Sequence, residues 1–129
     1  MSDKYTVEII TPEETILKSE TSEVTIPSFE GQMGILKDHI PLITFLRPGL
    51  IVIKNTEEKK YYVEEGTVEF SNNNLLILTS TIKDLKNFDN KSITNLLENA
   101  KKLFENTNLT DKEKYVTSYK IESLKEINQ

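Results

Sequence analysis

The sequence predicts a mainly β protein with an α appendage: an antiparallel β-sandwich or barrel of many short strands, then an antiparallel two-helix hairpin. Three observations carry this reading. Up to about residue 80, apolar and polar residues alternate in short runs separated by turn residues, the pattern of half-buried strands. After about Lys86 the apolar spacing changes to that of a helix face. The 129 residues include no cysteine, so neither a disulfide nor a thiolate-bound metal can replace a packed core. The domain division expected is therefore 1–86 for the sandwich and 87–129 for the hairpin.

Taken in order, Tyr5, Val7 and Ile9 alternate with Thr6 and Glu8. Thr11-Pro12-Glu13-Glu14 turns the chain, and Thr15-Ile16-Leu17 resumes an extended run. Ser22 to Ile26 alternates again. Leu50 to Ile53 is β-branched and ends at the polar turn Asn55-Thr56-Glu57-Glu58. Tyr61-Tyr62-Val63 and Thr67 to Phe70 flank Gly66, which is read as a bulge or tight bend. Asn72-Asn73-Asn74 signals a turn because Asn tolerates the left-handed region, and Leu75 to Leu78 gives a last buried strand.

Special residues concentrate in Val24 to Gly49, which holds three of the four prolines, three of the four glycines, the only histidine and the only arginine. Strand-like pieces at Val24 to Ile26 and Ile40 to Leu46 bracket a reversal expected at Glu30-Gly31-Gln32-Met33-Gly34. A second turn follows at Arg47-Pro48-Gly49. Such residues on loops point to contact with a partner more than to packing.

In the tail, Ile93, Leu96, Leu97, Ala100, Leu103 and Phe104 form one helical face, with Asp89 or Asn90 as N-cap. Asn106-Thr107-Asn108 breaks that helix, and Thr110 with Glu113 has capping-box spacing for a second. Its apolar positions, Val116, Tyr119, Leu124 and Ile127 with Ile121 off the line, make a looser stripe, so this helix is expected to be the weaker one.

Composition narrows the function. The net charge is −5, and all of the acidic excess lies in residues 1–86, with 14 acidic against 9 basic residues. This disfavours nucleic acid and anionic lipid as partners. No run of about 18 apolar residues is present and the N-terminus lacks signal-peptide regions, so a soluble protein in a reducing compartment is expected, reaching a membrane only through a partner. Catalytic constellations are absent. One histidine and no cysteine exclude Cys-His and multi-histidine sites, no nucleophile elbow surrounds a serine, and Gly31 to Gly34 precedes no Gly-Lys-Ser/Thr. The pairs Glu13-Glu14, Glu57-Glu58 and Glu64-Glu65 read as solvated surface. His39 admits two readings, an imidazole bonded to Asp38 or backbone, and an exposed partner contact. Phe29 and Met33 divide between core packing and exposed contact. Arg47 reads most simply as a turn residue.

The central stretch also carries an ordered motif set: Glu30-Gly31, Gly34-Ile35-Leu36, His39-Ile40-Pro41-Leu42-Ile43 and Leu46-Arg47-Pro48-Gly49, with Tyr5 to Pro12 before it and Gly66 to Phe70 after. In these motifs the chain resembles the epsilon subunit of bacterial F-type ATP synthases, over nearly its whole length. The resemblance implies a β-sandwich of about ten strands with a C-terminal helical hairpin, and a non-catalytic role in the central stalk. It would grip gamma and sit on the c-ring, coupling proton-driven ring rotation to the catalytic head. The location implied is peripheral, on the cytoplasmic face of the bacterial inner membrane.

The ring-facing loop it implies is Ser28, Phe29, Glu30, Gly31 and Gln32, with Asp38 and His39 nearby, where polar groups can hydrogen-bond the polar loops of a ring. In many bacterial members the hairpin also extends to the alpha/beta head and blocks ATP hydrolysis. Some members bind ATP through I/L-D-x-x-R-A. Here the corresponding residues are Phe88-Asp89-Asn90-Lys91-Ser92-Ile93: Asp89 remains, but Ser92 stands for the arginine and Ile93 for the alanine. With Arg47 placed far off in the sandwich, no guanidinium clamp is expected, and ATP binding is expected to be weak or absent, with no cofactor. A reading from another class is a free-standing β-sandwich that binds a ligand on an aromatic platform, for which Tyr61-Tyr62 is the only aromatic pair.

Overall fold

A computed structural model describes residues 3–106 and 108–127. Ten strands come first: β1 (Tyr5–Ile10), β2 (Thr15–Thr21), β3 (Glu23–Ser28), β4 (Gly31–Leu36), β5 (Leu42–Leu46), β6 (Gly49–Lys54), β7 (Glu58–Val63), β8 (Gly66–Ser71), β9 (Asn74–Leu78) and β10 (Ile82–Asp84). A 3-10 turn at Leu85–Asn87 leads to two helices, α1 (Asn90–Phe104) and α2 (Asp111–Ile127). The sequence pattern did not reveal β10 or the 3-10 turn, because three residues are too short for a period to show.

The strands form one curled sheet in the order β10-β7-β6-β3-β5-β8-β9-β1-β2, with β4 on β3. Ser28 opposite Leu46 is the one paired position between β3 and β5, so the sheet folds over there into two facing layers. Residues pointing inward from both halves close the core: Val7, Ile9, Val24, Ile26, Ile35, Ile51, Val68, Phe70 and Ile77 are all essentially inaccessible. Alternation in the sequence places them, since every second residue of a strand faces the same side. Tyr5 spans the layers, its hydroxyl donating to Ile35 O at 2.6 Å and its ring meeting Phe70 edge-on. Burial pushes this phenol well above the ordinary tyrosine range.

The pairing is not antiparallel throughout. β1 runs parallel to β9, from Thr6 opposite Asn74 to Ile10 opposite Leu78. The long excursion from β1 through the other layer lets these two strands meet in the same direction. The Gly-rich reversal also lies earlier than expected. Ser28 faces Gly31 across a two-residue loop, Phe29-Glu30, and Gly31 takes φ +121°. Gly34 is an interior residue of β4 opposite Thr25. Ile40 lies outside β5 and is 74% exposed. The Asn72-Asn73 turn is as expected, both residues at positive φ between β8 and β9.

In the hairpin, Asp89 is the N-cap of α1 and accepts from Ser92 N–H at 2.7 Å. Thr110 and Glu113 close the capping box reciprocally, each contact 3.1 Å. Both carboxyls titrate below their ordinary range because these backbone N–H groups favour the ionised form. The expected break at Asn106-Thr107-Asn108 includes Thr107, which lies outside the described residues. Ile93, Leu97 and Ala100 are buried, but Leu103 and Phe104 at the end of α1 are 47% and 45% exposed. Ile121, off the apparent stripe, packs into the cluster of Tyr62, Ile93, Leu97 and Leu124.

Candidate functional site

The turn between β3 and β4 is held from inside. Ser28 is fully buried, its hydroxyl donating to Gly31 O at 2.9 Å while its oxygen accepts from Glu30 N–H at 3.1 Å. Phe29 N–H reaches Phe45 O at 3.1 Å. Ser28 therefore shapes the loop, and Glu30 and Gln32 are the exposed side chains it presents.

Asp38 and His39 do not join this turn. They follow the far end of β4, roughly 20 Å away at the ordinary rise of a strand. There Asp38 is tied to Asn73 by a reciprocal pair of bonds at 2.8 and 3.0 Å. His39 Nδ1 donates to Ile40 O at 2.7 Å, and its ring meets Phe70 edge-on. The residues grouped by the sequence reading thus form two clusters at opposite ends of one strand. The reason is that Gly31 to Leu36 is extended rather than folded back.

Arg47 corrects another expectation: it is not remote from the hairpin. Its guanidinium carbon lies 3.7 Å from the ring centre of Tyr119 on α2. Nη1 donates to Pro48 O at 3.2 Å, while buried Nε has no hydrogen-bond partner. Tyr119 meets Tyr115 one turn earlier at 4.9 Å, and Tyr115 stacks on Phe29 at 5.7 Å with 17° between planes. A continuous chain of ring contacts, Arg47-Tyr119-Tyr115-Phe29, therefore joins α2 to the β3–β4 turn. Ser123 Oγ, 2.7 Å from Tyr119 O and 3.3 Å from Pro48 O, and an ion pair of Lys120 with Glu64 at 3.1 Å complete the docking. Ile93 and Leu97 of α1 share a packed cluster with Tyr62 of the sandwich, and the helix with the loose stripe, α2, docks there as well. Its other contacts are aromatic and polar, which an apolar-periodicity reading discounts; the signal was a Tyr pair four apart and a lone arginine.

Sequence reasoning also missed an apolar outer face. By register, Ile43, Glu69, Leu76 and Glu8 form one row across β5, β8, β9 and β1, and Phe45, Thr67, Leu78 and Ile10 form the next. Ile43, Phe45 and Leu78 are 70%, 60% and 43% exposed, more than isolated surface residues would explain. Tyr61 and Tyr62 are buried, so they offer no aromatic platform. Asp89 serves as a helix cap, and among the described residues no cluster of histidine and acidic side chains could hold a metal.

Comparison with known proteins identifies the lineage. The profile of the family described as ATP synthase, Delta/Epsilon chain, beta-sandwich domain matches residues 4–84. The ATP synthase epsilon chain of Pelagibacter ubique (strain HTCC1062) is 47% identical over 99% of this chain and all of its own length. The chain belongs to the ATP synthase epsilon family. A second epsilon chain, from Wolbachia pipientis wMel, is 34% identical over 70% of this chain and 87% of its own. The epsilon fold itself is shared with a chain of the Euglena gracilis mitochondrial ATP synthase (TM-score 0.80, 18% identity, covering 100% of this chain and 84% of that one). A chain of the Tetrahymena thermophila mitochondrial ATP synthase central stalk and c-ring also shares it (TM-score 0.67, 19% identity, 96% of each). The epsilon-family profile stops before the hairpin, but the full-length match to the Pelagibacter relative includes it.

Proposed function

We infer that this epsilon-family chain is a non-catalytic rotor subunit of an F-type ATP synthase, seated between gamma and the c-ring at the cytoplasmic face of a bacterial inner membrane. The near full-length identity with an ATP synthase epsilon chain carries this reading. The outer face of Ile43, Phe45 and Leu78 is the surface offered to gamma, since burial of such residues supplies most of an interface's free energy. The turn presenting Glu30 and Gln32 faces the ring, with Asp38 and His39 a separate contact at the other end of β4. No helix among the described residues is long and apolar enough to cross a membrane, in keeping with attachment through partners.

Residues 87–129 are proposed as a regulatory hairpin that can leave the sandwich and block hydrolysis in the head. Its docking by one small apolar cluster around Tyr62 and Leu124 and a few polar and aromatic contacts suits a small energy gap between two states. It is not proposed to take ATP. Asp89 is occupied as a cap, and the cleft beside Arg47, about 280 Å³, sets Glu122 and Glu126 against Arg47 and Lys60, which leaves no net positive charge for phosphates.

Co-expression with gamma tests the reading. Affinity purification of this chain is expected to bring gamma with it at one to one. A double substitution, Ile43→Glu with Phe45→Glu, should weaken that association at least about 100-fold, since each buried anchor is worth roughly 2 kcal/mol. A wild-type chain that never retains gamma would end the proposal.

A further inference from the structure

We propose that Tyr115 is a positioning residue for the β3–β4 turn, so that the docked hairpin sets the shape of the surface offered to the ring. The inference rests on the ring-facing assignment of that turn, and adds to it a physical link with the hairpin.

The link runs through one peptide. Phe29 C=O accepts from Tyr115 Oη–H at 3.0 Å, and the Glu30 N–H of the same peptide donates to Ser28 Oγ at 3.1 Å. Both polar ends of the turn's central peptide are therefore held, one by the sandwich and one by α2. Neither Phe29 nor Glu30 has positive φ, which excludes the type II, I′ and II′ forms, and Gly31 follows at φ +121°. Flipping the central peptide would give the type II form, in which Glu30 takes positive φ and its carboxylate points elsewhere. Local sterics already oppose that flip for a residue with a Cβ. The Tyr115 bond and the stack on Phe29 oppose it further, and only this second part disappears when α2 leaves. Lys112, 6.0 Å from the Phe29 ring, adds a cation on the same side. Undocking thus loosens the turn without touching its strands.

Amide exchange on the isolated full-length chain reads this directly. In Tyr115→Phe the stack stays and the bond to Phe29 O goes. The Glu30 amide is expected to exchange about five-fold faster, the change one lost hydrogen bond produces. Amides of β1, β9 and α2 should keep their protection. In Tyr115→Ala the Phe29 and Glu30 amides should both accelerate further. Undocking by Tyr119→Ala should reproduce the effect with Tyr115 intact. Exchange at Glu30 within about two-fold of wild type in both Tyr115 variants overturns the proposal, as does acceleration spread equally through the sandwich. Failure of the ring assignment would appear elsewhere, as a Gln32→Cys chain that forms no cross-link to the ring in the assembled enzyme while the turn amides still respond to Tyr115.

Discussion

Gly66→Val is expected to be the most damaging single substitution in the sandwich. Gly66 opens β8 at φ +154°, a conformation that β-branched residues almost never adopt. A Cβ there would stand 2.6 Å from Leu78 O, 2.9 Å from Leu46 Cδ1 and 3.1 Å from Thr79 Cβ. The nearest obstacle is backbone, so the contact cannot be relieved by a rotamer change. It lies where the next residue, Thr67, pairs with Leu78 and where Thr79 N–H bonds Ile10 O. Relief must therefore disturb β9 and its parallel partner β1 together. Backbone strain and overpacking of this kind add to about 2–5 kcal/mol, a large part of the stability of a domain this size. The thermal midpoint, followed by far-UV circular dichroism, should fall by roughly 10–20 °C. A midpoint within about 2 °C of wild type would show that the β8 entry yields more easily than its contacts imply.

The second large effect separates the two parts of the chain. Leu124 is wholly inaccessible on α2 and packs with Tyr62, Ile93 and Leu97, with Phe88 and Leu50 at the margin. Leu124→Ala should cost about 2–5 kcal/mol, because it empties the centre of the apolar cluster that holds the hairpin to Tyr62 and Leu50, leaving mainly one cation–π contact, one stack, one ion pair and two hydrogen bonds. The expected result is release of the hairpin with the sandwich intact. Amides of α2 lose protection while those of β1, β8 and β9 keep theirs. In the assembled enzyme the released hairpin is expected to lower ATP hydrolysis. Unchanged hydrolysis with a demonstrably released hairpin would remove the inhibitory role, and a hairpin still protected in this variant would remove the idea of marginal docking.

Period and turn chemistry made most of the fold legible. Val7, Ile9, Val24 and Ile26 announced their buried faces by alternation, and Asn72-Asn73, Asp89 and the Thr110–Glu113 box marked their turns and caps from residue type alone. The parallel β1–β9 pair was not legible, because nothing local encodes which distant strand becomes a neighbour. The position of the β3–β4 turn was misjudged because two glycines three apart resemble a tight turn, whereas Gly34 has no conformational need to be there.

The site was less legible than the fold. Glu30 and Gln32 project as their turn position suggests, but Asp38 and His39 are close to them only along the chain. Arg47 was unreadable for a different reason. Its role depends on Tyr119, 72 positions away, and on the register that brings β6 beneath α2. The outer apolar rows hid because Leu42 to Leu46 is apolar apart from Thr44, and it is Thr44 that faces the core while Ile43 and Phe45 face out, the reverse of what alternation suggests.

The central claim is that this chain turns with the ring, and a covalent tether tests it most directly. The sequence has no cysteine, so Gln32→Cys is a unique attachment point, to be joined by a disulfide to a cysteine placed in the ring's polar loop. Parts that rotate together can be tied together without cost. The account predicts that the cross-link forms and that ATP-driven proton pumping continues at about its uncross-linked rate. Arrest of pumping on cross-linking, restored by reduction, would mean that the chain does not move with the ring, and would contradict the account.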